Sequence, residues 1–134
     1  MTENVPPFQL SRESKIRIDR EGYFWHEGER VEHAGLAQGL ASWLAVDQAT
    51  GRYILRNAMD WCFITVDDAP LVVRSATISQ DKPAVLALSD GTTEALAPET
   101  LRIDPDDMPY CNVRGGTLPA RFGRSAAFTL LTLQ

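Results

Sequence analysis

The chain has 134 residues, 44% of them hydrophobic, and a formal net charge of −5. A chain of this length buries about two-thirds of the surface that its unfolded form exposes, so one domain can close a core without a disulfide or a metal. A pI near 4.9 argues against a nucleic-acid surface, which needs clustered Lys and Arg, and no stretch approaches the roughly 20 apolar residues of a membrane span.

Residues 1–14 hold Pro6-Pro7 and aperiodic polar side chains, and read as a leader that Phe8 and Leu10 can pin. The basic start and apolar run of a secretory signal are lacking, so the cytoplasm is the expected compartment. One domain is expected over 15–134, divisible into sub-motifs at 15–66 and 67–134.

Residues 15–19 alternate polar and apolar, turn at Arg20-Glu21-Gly22, and resume at Tyr23-Phe24-Trp25-His26, the pattern of a hairpin. Over 31–44, Leu36, Leu40, Trp43 and Leu44 recur at the spacing of an amphipathic helix. Gly35 and Gly39 share one face of that helix and suggest close approach to a neighbouring element.

Strands are then expected at 53–56, 61–66 and 71–78, with a bend at Asp67-Asp68-Ala69-Pro70, followed by a strand at 84–88 and a hairpin at Asp90-Gly91. A last hairpin turns at Gly115-Gly116, and Pro119 places its second arm at a sheet edge. A short helix capped by Ser125, with Ala127, Leu130 and Leu131 inward, closes the chain, although a final strand fits the residues as well. The fold class is α+β, a mainly antiparallel sheet with two helices. The order strand, turn, strand, helix in 15–44 recurs in 110–133.

The residues offer little catalytic chemistry. His26, His33, Cys62 and Cys111 are the ligand types of a zinc site, but the cysteines stand alone on separate strands rather than in a close pair. They read instead as small buried side chains. Nucleophilic catalysis lacks a recognisable elbow or base. Asp67-Asp68 and the 104–107 run do not fit the calcium-loop spacing. Gly115-Gly116 lacks the rest of a phosphate-loop fingerprint, and a hairpin turn accounts for it. No metal and no cofactor are expected.

Several segments together resemble the proteobacterial domain of unknown function family 1285: Ile16-Arg17-Ile18-Asp19 with Gly22 and Trp25, the Val66-Asp67-Asp68-Ala69-Pro70 bend, and Pro109-Tyr110-Cys111-Asn112-Val113-Arg114-Gly115-Gly116. The resemblance spans about residues 15–133. It departs from the family pattern in a shorter leader and in Arg56-Asn57-Ala58. It implies a compact α+β protein of two similar motifs with a role in signal transduction, and supplies no catalytic residue.

The reading that follows is a non-enzymatic ligand-binding or regulatory domain in signal transduction. Positive charge gathers at Arg12, Lys15, Arg17 and Arg20 and again at Arg114, Arg121 and Arg124, which suits an anionic small molecule if the two ends meet. The candidate site is the junction of the two hairpins, with Arg17 and Arg114 facing an anion and Tyr23 or Trp25 as an apolar platform. The alternatives are a protein-interaction or homodimerisation module, and a small enzyme in which a histidine reaches a cysteine or carboxylate.

Overall fold

The computed structural model describes residues 12–132. Its first half runs β1 (Glu13–Ile18), β2 (Phe24–His26), β3 (Glu29–Arg30), α1 (Ala34–Ser42), β4 (Leu44–Val46), β5 (Tyr53–Arg56) and β6 (Trp61–Val66). These strands form one sheet in the order β3-β2-β1-β6-β5-β4, antiparallel except for the central β1–β6 pair. The second half runs β7 (Leu71–Ser79), β8 (Lys82–Leu88), β9 (Thr93–Ala95), β10 (Arg102–Ile103), β11 (Pro109–Val113) and β12 (Leu118–Phe122), and α2 (Arg124–Thr132) follows.

The second sheet is ordered β10-β11-β12-β7-β8-β9, with β7 and β12 parallel at its centre. From its other edge the order is first, second and third strand outward from the parallel pair on one side, sixth, fifth and fourth on the other. That is the topology of the first sheet. The expected order of strand, turn, strand, helix is present at both ends of the chain, inside this longer six-strand repeat. The helix α1 joins the third and fourth strands of the first motif; a single 3-10 turn, Pro98–Thr100, does so in the second.

Period-2 patterning explains most of the strands. Ala84, Leu86 and Leu88 of β8 point inward and Val85 outward; Pro109, Cys111 and Val113 of β11 do likewise. At the start of β7 the alternation stops, and Leu71, Val72 and Val73 are all buried because both faces of this central strand are covered. One contiguous core joins Ile18, Phe24 and Leu55 of the first sheet to Leu86, Leu118 and Phe122 of the second and to Ala126 and Leu130 of α2. Each such large side chain contributes about 1.5–3 kcal/mol by leaving water. Gly123 lets the chain turn from β12 into α2: its N–H donates to Val73 O at 2.9 Å, where a Cβ would sit 3.1 Å from that oxygen.

Several expectations change. The helix expected over 31–44 is α1, shorter at both ends; Leu44 belongs to β4, where it pairs with Leu55. The expected apolar stripe faces the core only in part: Leu40 packs against it and Leu44, in β4, is buried within it. Leu36 is 55% exposed and Trp43 40%, whereas Ala41 is the buried residue of α1. A Cβ on Gly39 would meet nothing within 4 Å, and one on Gly35 only the His33 ring, so neither glycine serves close approach.

Pro119 is not on an edge strand, since β12 lies between β11 and β7. It is tolerated because pairing with β7 begins only at Ala120, leaving Pro119 without a neighbour on that side. Ser125 lies within α2 rather than capping it, and Leu131 is exposed while Ala126 is buried. Phe8, Leu10 and Leu133 lie outside the described residues. Among those described, no helix is long and apolar enough to cross a membrane.

Candidate functional site

Where the two motifs meet, the β1–β2 turn docks against the second sheet. Asp19 shapes the turn: its carboxylate accepts from the backbone N–H groups of Glu21 and Tyr23, both at 2.9 Å, and from the Trp25 indole at 2.8 Å. Burial raises its pKa, but these donors outweigh burial and leave the carboxyl below its usual range. Gly22 then adopts φ +90°, and a Cβ there would sit 3.1 Å from Val72 Cγ2.

Two arginines of the second motif grip the carbonyls of this turn. Arg74 donates to Glu21 O at 2.6 Å and Arg121 to Arg20 O. Arg121 is buried, with its Nε 3.4 Å from an Asp68 carboxylate oxygen, and Asp68 also accepts from the Tyr110 hydroxyl at 2.8 Å. The two basic ends of the chain thus meet, but around Asp68, which offsets their charge.

Beside this seam lies a cleft of about 220 Å³. The hairpin side supplies Tyr23, Phe24, Arg30 and Glu32, α1 supplies Ala34, Ala37, Gln38 and Ala41, and the second motif Leu71, Arg74 and Ser89. The guanidinium carbon of Arg30 stands 4.6 Å from the Tyr23 ring centroid and that of Arg74 5.0 Å. Arg12, Arg17, Arg20, Arg52, Arg114 and Arg121 each have a carboxylate within ion-pair distance. Among the described residues, Arg30 and Arg74 have none, so the cleft holds two cations against the single carboxylate of Glu32.

The wall formed by α1 is latched across the seam. At its C-terminal end, Arg114 Nη2 donates to Ala41 O at 2.7 Å and to Asp90 Oδ2 at 2.6 Å, and Nη1 reaches Leu44 O at 3.4 Å. Arg114 adopts φ +54°, and its N–H donates to Glu94. Asp90 is pushed up by burial but held lower overall by its bonds from Thr92 and Arg114. His33 caps the other end of α1, its Nδ1 accepting from Leu36 N at 3.1 Å.

The four residues expected at one hairpin junction are therefore placed apart. Arg17 pairs with Asp67 and stacks over Trp25 at 5.2 Å, on the face of the first sheet opposite Ile18. Arg114 is engaged by α1 and Asp90. Tyr23 alone of the four lines the cleft. The junction forms instead through Arg20, Arg121 and Asp68. The sequence alone does not single out Arg30, which lies in a two-residue strand without a periodic signal, whereas Arg74, a cation directly after the apolar Leu71–Val73 run, is a usable signal.

Among the described residues, neither histidine hydrogen-bonds a cysteine or a carboxylate. His26 is exposed on β2 and His33 serves as a cap. Cys111 is fully buried, and burial pushes its thiol up to about 11, the opposite of nucleophile activation. No group of three or more His, Cys, Asp or Glu among the described residues is arranged to hold a metal ion.

The fold and seam define a duplicated α+β protein, two copies of a six-strand motif with a cleft at their junction. No protein-family model matches the chain, and no curated protein does. Two solved structures share the fold. One is a DUF1285 family protein from Shewanella baltica OS155, with TM-score 0.75 and 22% identity over 90% of this chain and 93% of that one. The other is a DUF1285 family protein from Silicibacter pomeroyi DSS-3, with TM-score 0.74 and 23% identity over 99% of this chain and 79% of that one. These are proteins of the family that the sequence segments resemble, and at these identities the likeness is one of fold.

Proposed function

We propose that the protein is a non-enzymatic ligand-binding domain of the DUF1285 kind, acting in bacterial signal transduction, and that a small anion binds in the cleft between its motifs. The supporting observation is the pair Arg30 and Arg74, two guanidinium groups from different motifs that flank Tyr23 with no carboxylate partner among the described residues. Two cations against one carboxylate, Glu32, leave a concave, partly apolar site with an excess of positive charge that attracts an anion and fixes its orientation. A ligand touching both motifs would favour one arrangement of the seam, which is a means of signalling occupancy.

A thermal-shift screen of small anions and nucleotides tests this, since a ligand at 100 Kd stabilises by about 2.7 kcal/mol. Arg30→Ala is the informative variant, because the Arg30 guanidinium makes no hydrogen bond or ion pair among the described residues and its loss should cost the unliganded protein only its stacking on Tyr23, about 0.5–1 kcal/mol. Losing a charge-assisted contact of about 1.5–3 kcal/mol weakens binding by roughly 10- to 150-fold. A hit that shifts Arg30→Ala as much as wild type would place its binding elsewhere.

The second reading, an interaction or homodimerisation module, is favoured by the exposed apolar residues Leu36, Trp43 and Met59, the last 90% exposed. Light scattering over a concentration series separates it from a monomeric sensor.

A further inference from the structure

Resting on the anion reading above, we infer that the cleft takes a small organic acid whose anionic head lies at Arg30 and Arg74 and whose apolar body lies along α1. The lining divides by chemistry. Its cations gather about Tyr23 and outnumber the one carboxylate, Glu32, while Ala34, Ala37 and Ala41, spaced to share one face of α1, line the cleft together with Phe24, Pro70 and Leu71. An inorganic anion needs only the first part, because an apolar wall adds nothing to a fully hydrated ion.

Size narrows the class. The cleft's volume of about 220 Å³ lies below the roughly 300–1,000 Å³ of sites for drug-sized ligands. It suits a carboxylate on a chain of about six to eight carbons or on a single aromatic ring, at roughly 30 Å³ per water-sized volume displaced. The alanines matter because a larger side chain at any of them would occupy the space that the body needs.

The test is an NMR titration of the full chain with acetate, butyrate, hexanoate and octanoate, and with inorganic phosphate, read at the amides of Gly22, Gln38 and Ser89. Each added methylene should tighten binding by roughly three- to fourfold until the trough is filled. Arg30→Ala should weaken the whole series. Ala37→Leu should flatten the chain-length dependence, weakening octanoate and hexanoate more than acetate; Ala34→Leu, at an exposed position, is the second variant if Ala37→Leu lowers the melting temperature.

Acetate and phosphate binding without chain-length dependence would overturn this inference and leave the anion reading standing. A dependence that survives both Arg30→Ala and the alanine variants would place the acids on another surface and overturn it too. If no acid, phosphate or screened anion moves these amides, both readings fall.

Discussion

Arg114→Ala probes the latch that holds α1 against the second motif. The substitution removes the partner of Asp90, whose side chain is 2% exposed, and the donor to the carbonyls of Ala41 and Leu44. Truncating one member of a buried ion pair commonly costs about 3–5 kcal/mol. Here Thr92 still donates its N–H and hydroxyl to Asp90, and the Arg114 side chain is 24% exposed, so water can reach the gap. A loss of about 2–3 kcal/mol follows, with about 3–4 °C of melting temperature per kcal/mol for a domain of this size. Calorimetry at pH 7 should show a fall of roughly 6–12 °C. Alanine keeps the positive φ of position 114 and so isolates the side chain, whereas Arg114→Gly loses the same contacts but recovers about 1 kcal/mol of backbone strain and should melt higher than Arg114→Ala. Asp90→Ala and the double variant complete a thermodynamic cycle, in which a coupling above about 1 kcal/mol is expected. An Arg114→Ala protein melting within about 2 °C of wild type, or additive single effects, would show that the latch carries no net stability.

Asp19 and Asp90 are both held below the ordinary carboxylate range, burial opposing their hydrogen-bond donors and losing. Their stabilisation is therefore complete above the unfolded value of about 3.9 and disappears as pH falls through the lower folded values. Melting temperature should decline below about pH 4, and Asp90→Asn should make that decline shallower; an unchanged slope would count against the assignment. Cys62 is half-buried and Cys111 fully buried with its thiol raised to about 11. A thiol reagent at pH 8 should label Cys62 in the native protein and Cys111 only after denaturation; two native equivalents would contradict the packing of β11. Gly22→Ala forces a Cβ to 3.1 Å from Val72 at φ +90° and should destabilise by about 1–3 kcal/mol, seen as a lower urea midpoint with unchanged slope. A neutral outcome would mean that the β1–β2 turn is not packed as described.

What the sequence revealed and what it withheld divide along a physical line. Alternation identifies a strand wherever one face is buried and one wet, as in β1, β8 and β11, and these were legible. The strands β3, β4 and β10 hold two or three residues each, too few to show a period. Leu36, Leu40 and Trp43 announce an apolar helix face, but periodicity says only that such a face exists; here Leu40 packs against the core, Leu36 and Trp43 are exposed, and the fully buried contact is made by Ala41. The duplication was visible as a recurring order of elements, yet its true span depends on β1 pairing with β6 and β7 with β12, contacts between residues about fifty positions apart in the chain. The cleft lies beyond local reading for the same reason. Arg30 and Arg74 meet at Tyr23 only because the β1–β2 turn docks on Val72 and is gripped by Arg74 and Arg121. Arg114, conspicuous before a Gly-Gly turn, reads in the sequence as an anion receptor, and the structure gives it an anion, the carboxylate of Asp90. A cation's sequence neighbours show that it is available; which cations are still unpaired depends on where the two motifs place their aspartates, and that leaves Arg30 and Arg74 rather than Arg17 and Arg114 facing the cleft.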